Sequence, residues 1–151
     1  MLTPSALFSA VSSTLAGLTG WYASRHGYED FTAVPDGAEI SHQSYSIALL
    51  STVPLAGRQR LSATEAGTLH RTDLRVRWLY RVRVEQRDTD YASALTAESA
   101  LRAAVLATAQ SAPLRITLGE DGAERRELPA STGPMLLGEI AFTVVHAVPL
   151  A

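Results

Sequence analysis

The chain has 151 residues, 46% hydrophobic and 19% charged, which predicts one globular domain over residues 1–151. Its formal net charge of −2 excludes a general polyanion binder and leaves only local patches for any contact with nucleic acid. Because there is no cysteine, a disulfide framework, a thiolate metal site and a cysteine nucleophile are all excluded.

The first predicted element is an amphipathic helix at roughly residues 4–18. Thr3 offers a hydroxyl as N-cap, and Pro4 suits the first helical position because an N–H there would have no helical partner. One stripe of this helix is apolar and consists of Leu7, Val11, Leu15 and Leu18. Hydroxyl residues at 12–14 make the stretch too polar to cross a bilayer, and no positive leader precedes it, so we expect neither a membrane span nor a signal peptide.

An irregular segment, a strand and a long loop are predicted next. Residues 19–43 mix aromatic and polar residues around a Pro-Asp-Gly turn. A strand is expected at about residues 44–53, stopped by Pro54. The polar segment 56–72, which includes Arg58 and Arg60, has no clear periodicity and predicts an extended hairpin loop or a flexible arm.

The clearest alternation in the chain lies at residues 73–85. One face is apolar or β-favouring and carries Val76, Trp78, Tyr80, Val82 and Val84. The other face is basic and carries Arg75, Arg77, Arg81 and Arg83, bracketed by Asp73 and Glu85. A period of two over this length predicts a strand in a sheet that is buried on one side only.

Several surroundings are possible for this arginine face. Like charges on alternate positions repel each other, so the face favours a compensating neighbour: carboxylates of the same domain, a neighbouring subunit or a nucleic acid. Exposure to water is the remaining alternative. Sheets that bind single-stranded nucleic acid use aromatic rings on the binding face, whereas Trp78 and Tyr80 lie on the opposite face. A subunit contact or solvent exposure is therefore favoured over a nucleic acid.

The rest of the chain predicts one helix and three strands. The Ala-rich run 91–110 is expected to be helical, with a stripe of Ala94, Ala97, Leu101, Val105 and Thr108. Residues 114–118 and 123–128 predict a hairpin around the turn 119–122, and residues 136–148 predict a final strand. The element order predicts an α+β fold: a mainly antiparallel sheet, two helices packed on one face and a long hairpin loop.

No motif for catalysis, for a cofactor or for a metal is present. The four histidines lack metal-site spacing, and the nucleophile-elbow, P-loop and dinucleotide-binding patterns do not occur. We therefore expect no catalytic residue, no cofactor and no enzyme activity, with a small hydrolase or ligand-binding domain as a remaining alternative. The acidic residues of the predicted hairpin form either a solvated turn or a charge-complementary contact; they are Glu120, Asp121, Glu124 and Glu127.

The layout resembles the tail terminator proteins of long-tailed bacteriophages. The resemblance rests on residues 45–53, on residues 75–86 leading into 90–107, and on the closing segment 138–148. In that family an N-terminal helix precedes a strand, a long loop and a second strand that passes directly into a helix, and a strand ends the chain.

The resemblance implies a virion structural protein of the tail and neck, assembled in the host cytoplasm. Its members form a ring, usually a hexamer, on the last ring of the tail tube, where they stop tube polymerisation and present a surface to the head-completion protein. DNA passes through the lumen without sequence readout, and no membrane is involved.

In such a ring the four arginines of the strand would meet acidic groups of the adjacent subunit, drawn from the acidic group of the predicted hairpin. Arg58 and Arg60 would lie on a loop that reaches a neighbour or the tube. The alternatives are another neck, connector or minor tail protein, and a small nucleic-acid-binding domain that uses the arginine face.

Overall fold

The structure, a computed structural model, describes residues 3–23, 43–60, 66–108, 116–128 and 134–149. The helices are α1 (Pro4–Ala16) and α2 (Arg87–Thr108), and the strands are β1 (Tyr22–Ala23), β2 (Gln43–Arg60), β3 (Ala66–Arg81), β4 (Ile116–Leu128) and β5 (Met135–Pro149). The predicted turn at 35–37 and most of the irregular segment 19–43 lie outside the described residues.

The five strands form one sheet in the order β1-β2-β3-β5-β4. β1 runs parallel to β2 over two residues, and the other neighbouring strands are antiparallel. Both helices contribute to one hydrophobic core with the even-numbered side of β3. The predicted α+β fold, with a mainly antiparallel sheet and two helices on one face, is confirmed.

Both helices form for the reasons that their sequences indicate. The Oγ1 of Thr3 accepts a hydrogen bond from the backbone N–H of Ala6 at 3.1 Å, and the stripe of α1 is buried at Leu7, Val11 and Leu15. α2 begins at Arg87, four residues before its predicted start. Its predicted stripe is buried at Ala94, Leu101, Val105 and Thr108.

β2 and β3 form a longer hairpin than the sequence predicts. β2 continues through Pro54 to Arg60, and β3 begins at Ala66, so most of the predicted loop 56–72 is strand. The prediction that Pro54 stops the strand is wrong. Proline is tolerated beside a β-bulge on an outer strand, and a register shift follows Pro54 directly.

The arginine strand is shorter at its C-terminal end than predicted. β3 ends at Arg81, and residues 84–86 form a 3₁₀ turn that leads into α2. The side chain of Val84 is 71% exposed instead of sharing the buried face. The alternation therefore holds within the sheet and fails where the chain leaves it.

The predicted hairpin at residues 114–128 is wrong, because β4 is one continuous strand paired with β5. The Gly-Glu-Asp-Gly sequence forms a bulge instead of a turn: Glu120 pairs with Phe142 and Gly122 with Ala141, so Asp121 is the extra residue. Gly122 has φ +148°, a conformation that favours glycine. The bulge reverses which residues of β4 face the helices, from even-numbered before it to odd-numbered after it.

One close contact fixes the centre of the core. The indole of Trp78 lies directly over Gly138, its partner residue on β5. A Cβ at position 138 would lie 2.1 Å from Cε2 of Trp78, so only glycine fits. Trp21 meets the same indole edge-on, with ring centroids 6.2 Å apart.

Candidate assembly surface

The predicted sidedness of β3 is confirmed. Val76, Trp78 and Tyr80 are buried on the helix-facing side, and the arginines at alternate positions lie on the other. Leu79, which shares the arginine face, is also fully buried. Because the aromatic rings of β3 are covered, they cannot stack on bases.

Two arginines of this face meet a carboxylate of the neighbouring strand β5. Nε of Arg77 donates to Oε2 of Glu139 at 2.6 Å, and Nε of Arg75 lies 3.6 Å from Oε1 of the same carboxylate. All three side chains are largely buried. Cross-strand pairing within the chain, one of the alternatives for the arginine face, is thus realised here.

Arg83 is held by the first turn of α2. Its Nε and Nη2 donate to the two carboxylate oxygens of Asp90, both at 2.9 Å, and its backbone N–H donates to Oδ2 at 2.8 Å. The hydrogen bond and the negative charge of Asp90 raise the pKa of Arg83. This clamp fixes the path from β3 into α2.

Arg81 differs from the other three arginines. It is half-buried, and its Nε is buried without a hydrogen-bond partner in the part of the chain that the structure describes. Arg75, Arg77 and Arg83 have carboxylate partners of their own chain. A contact between this face and an adjacent subunit stays a prediction.

The bulge in β4 divides the predicted acidic group between the two faces of the sheet. Glu120 and Glu127 face α2, where they pair with Arg102 and Arg87; Nε of Arg102 lies 2.7 Å from Oε2 of Glu120. Asp121 accepts a hydrogen bond from the hydroxyl of Thr143. Glu124 points to the opposite face, is exposed, and lies beside Glu139 in the register.

Arg58 and Arg60 lie on β2 near the end of the β2–β3 hairpin. In the register Arg58 pairs with Thr68 and Arg60 with Ala66. The structure thus places both predicted contact residues at the end of the hairpin, on strand instead of loop.

Sequence reasoning missed Glu98, the most buried carboxylate of the charge network. Its side chain is 1% exposed and lies between α2 and the sheet. It accepts hydrogen bonds from Nε1 of Trp78 at 3.1 Å, from Nε and Nη2 of Arg125 at 2.9 and 2.6 Å, and from Nη2 of Arg102 at 3.1 Å. The available signal was its position in the apolar stripe of α2, four residues after Ala94.

Glu98 ties three elements together. The hydrogen bond and charge of Glu98 raise the pKa of Arg125, outweighing the effect of its burial. Burial lowers the pKa of Arg102, but its hydrogen bonds to Glu120 and Glu98 leave the value raised. Both guanidinium groups stay charged over the whole accessible pH range, so the carboxylate of Glu98 always faces two cations and the network braces α2 against the sheet.

Most of the exposed large apolar side chains of the described residues belong to α1, β1 and β2. Six large hydrophobic residues are exposed in the described part of the chain, and five of them lie on α1, β1 or β2. These five are Phe8, Tyr22, Leu50, Val53 and Leu55. They do not form one patch, because Val53 pairs with Arg71 on the arginine face and Phe8 lies on α1, on the other face of the sheet. A groove of about 400 Å³ between α1 and β2 is lined by Phe8 and Ile47.

The remaining candidate features are structural. His146 is buried and its Nε2 is 2.7 Å from Oγ1 of Thr72, with His70 nearby. No group of three or more potential metal ligands occurs among the described residues, and none of the described helices is long and apolar enough to span a membrane. His26 and His42 lie outside the described residues.

Comparison with known proteins gives no family. No family model matches the chain, and no curated protein matches it. Among solved structures it is similar to the type 4 fimbrial biogenesis protein PilO of Pseudomonas aeruginosa (9% identity, TM-score 0.34, 98% of this chain and 72% of that one). It is also similar to a chain from the virion of a native gene transfer agent particle (15% identity, TM-score 0.36, 93% of each chain). Both TM-scores lie below 0.5, so neither similarity supports a fold or a function.

Proposed function

We propose that this chain is a non-enzymatic virion protein, a tail terminator that forms a ring on the end of the tail tube. The ring stops tube polymerisation and offers its other side to the head-completion protein. The observation that carries the proposal is the order of elements: α1, then β2 and β3 paired as a long hairpin, then β3 passing through a single turn into α2, and later the strand β5. The resemblance to tail terminators implies the same order, with a long loop where the ends of β2 and β3 pair.

The hairpin supports the same role. β2 and β3 pair over most of their length, up to the pair Arg60 and Ala66. This ribbon is suited to reach a neighbouring subunit or the tube, with Arg58 and Arg60 as its charged contacts. Because Arg75, Arg77 and Arg83 already have partners in their own chain, the contact through arginines rests mainly on the hairpin.

The test uses the full chain and the major tail tube protein of the same virus. Native mass spectrometry gives the subunit number, and negative-stain images give tube lengths with and without the chain. We expect rings at tube ends and shorter tubes. A chain that stays monomeric with and without tube protein, and leaves tube lengths unchanged, would rule the proposal out.

A charge-reversed pair of variants locates the contact. Arg58→Glu with Arg60→Glu is expected to abolish capping. Arg71→Glu with Arg126→Glu makes the same charge change away from the hairpin end, at two exposed sites, and is expected to cap normally. Equal loss of capping in both double variants would show an effect of overall charge and not of the hairpin.

A nucleic-acid-binding role is the alternative. Phosphate contacts would give an affinity that falls steeply with salt concentration. Binding of single- or double-stranded DNA at low salt, lost on raising the salt, would favour that alternative.

A further inference from the structure

One arginine and one glutamate of the two predicted charge groups differ from the rest. The other three arginines of the arginine strand pair with carboxylates of their own chain. The other three members of the acidic group pair with two arginines and a threonine hydroxyl of their own chain. Arg81 and Glu124 have no such partner among the residues that the structure describes.

Arg81 lies in apolar surroundings. Its Nε is buried and has no acceptor within the described part of the chain. Leu79, two residues earlier on the same face, is fully buried, and Met135, opposite Arg81 in the register, is 2% exposed. These side chains remove water from the guanidinium and offer it no counter-charge. A carboxylate supplied from outside the chain would stabilise Arg81 in this position.

Glu124 has the opposite need. The register places it beside Glu139, which in turn lies beside Arg77. Cross-strand partners share a face of the sheet, so Glu124 lies on the arginine face and is exposed there. Glu139 binds Arg77 at 2.6 Å and adds a like charge next to Glu124. Like charges directly opposite each other destabilise a sheet, so a cation from outside the chain would stabilise this position as well.

The two groups cannot meet within one chain. Met135 lies opposite both Arg81 and Leu128, and Glu124 precedes Leu128 on β4 by four residues. With about 3.3 Å per residue along a strand and about 4.8 Å between strands, the Cα atoms of Arg81 and Glu124 are about 16 Å apart. This distance is longer than the two side chains together.

We propose that Arg81 of one copy binds Glu124 of the next copy, and that this ion pair is the repeating subunit contact of the ring. The inference rests on the proposed function and adds a contact to that of the hairpin. Each copy gives a cation to one neighbour and a carboxylate to the other, and such head-to-tail contacts close into a ring when the rotation permits. A second copy is the partner that the charges select, because a closed ring then leaves neither group unpaired.

Single charge reversals test the contact. Arg81→Glu and Glu124→Arg each place like charges at the contact, where Arg81 is already partly desolvated. Each is expected to raise the protein concentration at which half of the chain is in rings by at least about tenfold. Arg71→Glu is the matched control, since Arg71 is exposed on the same face of the same strand, and it should assemble like the parent.

Restoring the charges tests the pairing itself. The double variant with Arg81→Glu and Glu124→Arg in one chain should form rings again. An equimolar mixture of the two single variants should also do so, because every contact between unlike variants joins opposite charges. Native mass spectrometry with tube protein present, and with one variant isotopically labelled, should show mixed rings with equal numbers of the two variants.

Circular dichroism verifies that each variant is folded. Arg81→Gln removes the cation without placing a carboxylate beside Leu79, so it replaces Arg81→Glu if that variant does not fold. Arg81→Gln and the exposed change Glu124→Arg should then each weaken ring formation.

The outcomes separate this contact from the proposed function. Rings that form and cap tubes equally well in all single variants would overturn the contact and leave the tail-terminator role intact. Rings that are lost and restored with the charges, but leave tube lengths unchanged, would confirm the contact and overturn that role. Failure of both the double variant and the mixture to restore rings would overturn the pairing. Particles of only two subunits would show a reciprocal two-fold contact instead, and a monomeric parent would overturn both proposals.

Discussion

Replacing Glu98 tests whether the buried charge network holds α2 on the sheet. Glu98→Ala removes the acceptor of the indole N–H of Trp78 and of two guanidinium groups. The buried indole N–H is left without its partner, which costs about 1–3 kcal/mol. Breaking a buried ion pair by removing one member costs about 3–5 kcal/mol where the remaining charge stays buried.

The exposure of the two arginines reduces this value. The side chains of Arg102 and Arg125 are 25% and 33% exposed, so both can recover water, and Arg102 keeps Glu120. We therefore expect a loss of about 3 kcal/mol in the free energy of unfolding, at the lower end of the range for buried pairs. For a chain of this length that corresponds to a melting temperature lower by about 6–12 °C.

Urea denaturation measures the loss, with the midpoint and the m-value fitted separately. Glu98→Gln, which retains an oxygen acceptor for Trp78, should lose less than Glu98→Ala. Glu124→Ala removes an exposed carboxylate and should stay within about 0.5 kcal/mol of the parent. A loss below about 1 kcal/mol for Glu98→Ala would refute the view that the network braces the helix.

Two further predictions concern the core and its response to pH. Gly138→Ala forces a Cβ into the indole of Trp78 and should lower the free energy of unfolding, measured in urea, by at least about 1–3 kcal/mol. Gly119→Ala is the control, because a Cβ at that position meets nothing within 4 Å, and it should not destabilise the chain. Equal effects of the two substitutions would contradict the packing argument. Burial raises the pKa of Tyr45 above its usual value of 10.0, because the fold favours the neutral phenol over the charged phenolate. The stability that this preference gives the folded chain is complete below about pH 10 and is lost as the pH rises through the raised pKa. The urea midpoint should therefore fall between pH 9 and pH 11 by more in the parent than in Tyr45→Phe, and identical falls would exclude Tyr45 as the cause.

Local periodicity was sufficient where a segment faces one environment over its whole length. The stripe of α1, the alternation of β3 and the final strand β5 each follow the predicted pattern because one side packs on the core throughout. The same reasoning failed at Val84, where the chain leaves the sheet and its side chain no longer has a buried face to occupy.

Features that depend on a distant partner were not predictable from local signals. Pro54 and the Gly-Glu-Asp-Gly sequence are turn signals by composition, yet each lies beside a bulge in a continuing strand. β5 offers backbone hydrogen-bond partners along the whole of β4. The chain therefore continues as one strand instead of reversing direction in a hairpin. The acceptor role of Glu98 is equally non-local, since its donors lie on β3, β4 and α2.

The bulge at Asp121 explains why the acidic group could not be assigned from spacing alone. In an unbroken strand Glu120 and Glu124 would share a face, and Arg125 would point away from α2. The extra residue places Glu120 and Arg125 on the helix side, where they complete the network around Glu98 and Arg102. One inserted residue thus converts a row of charges on an outer strand into a brace for a helix.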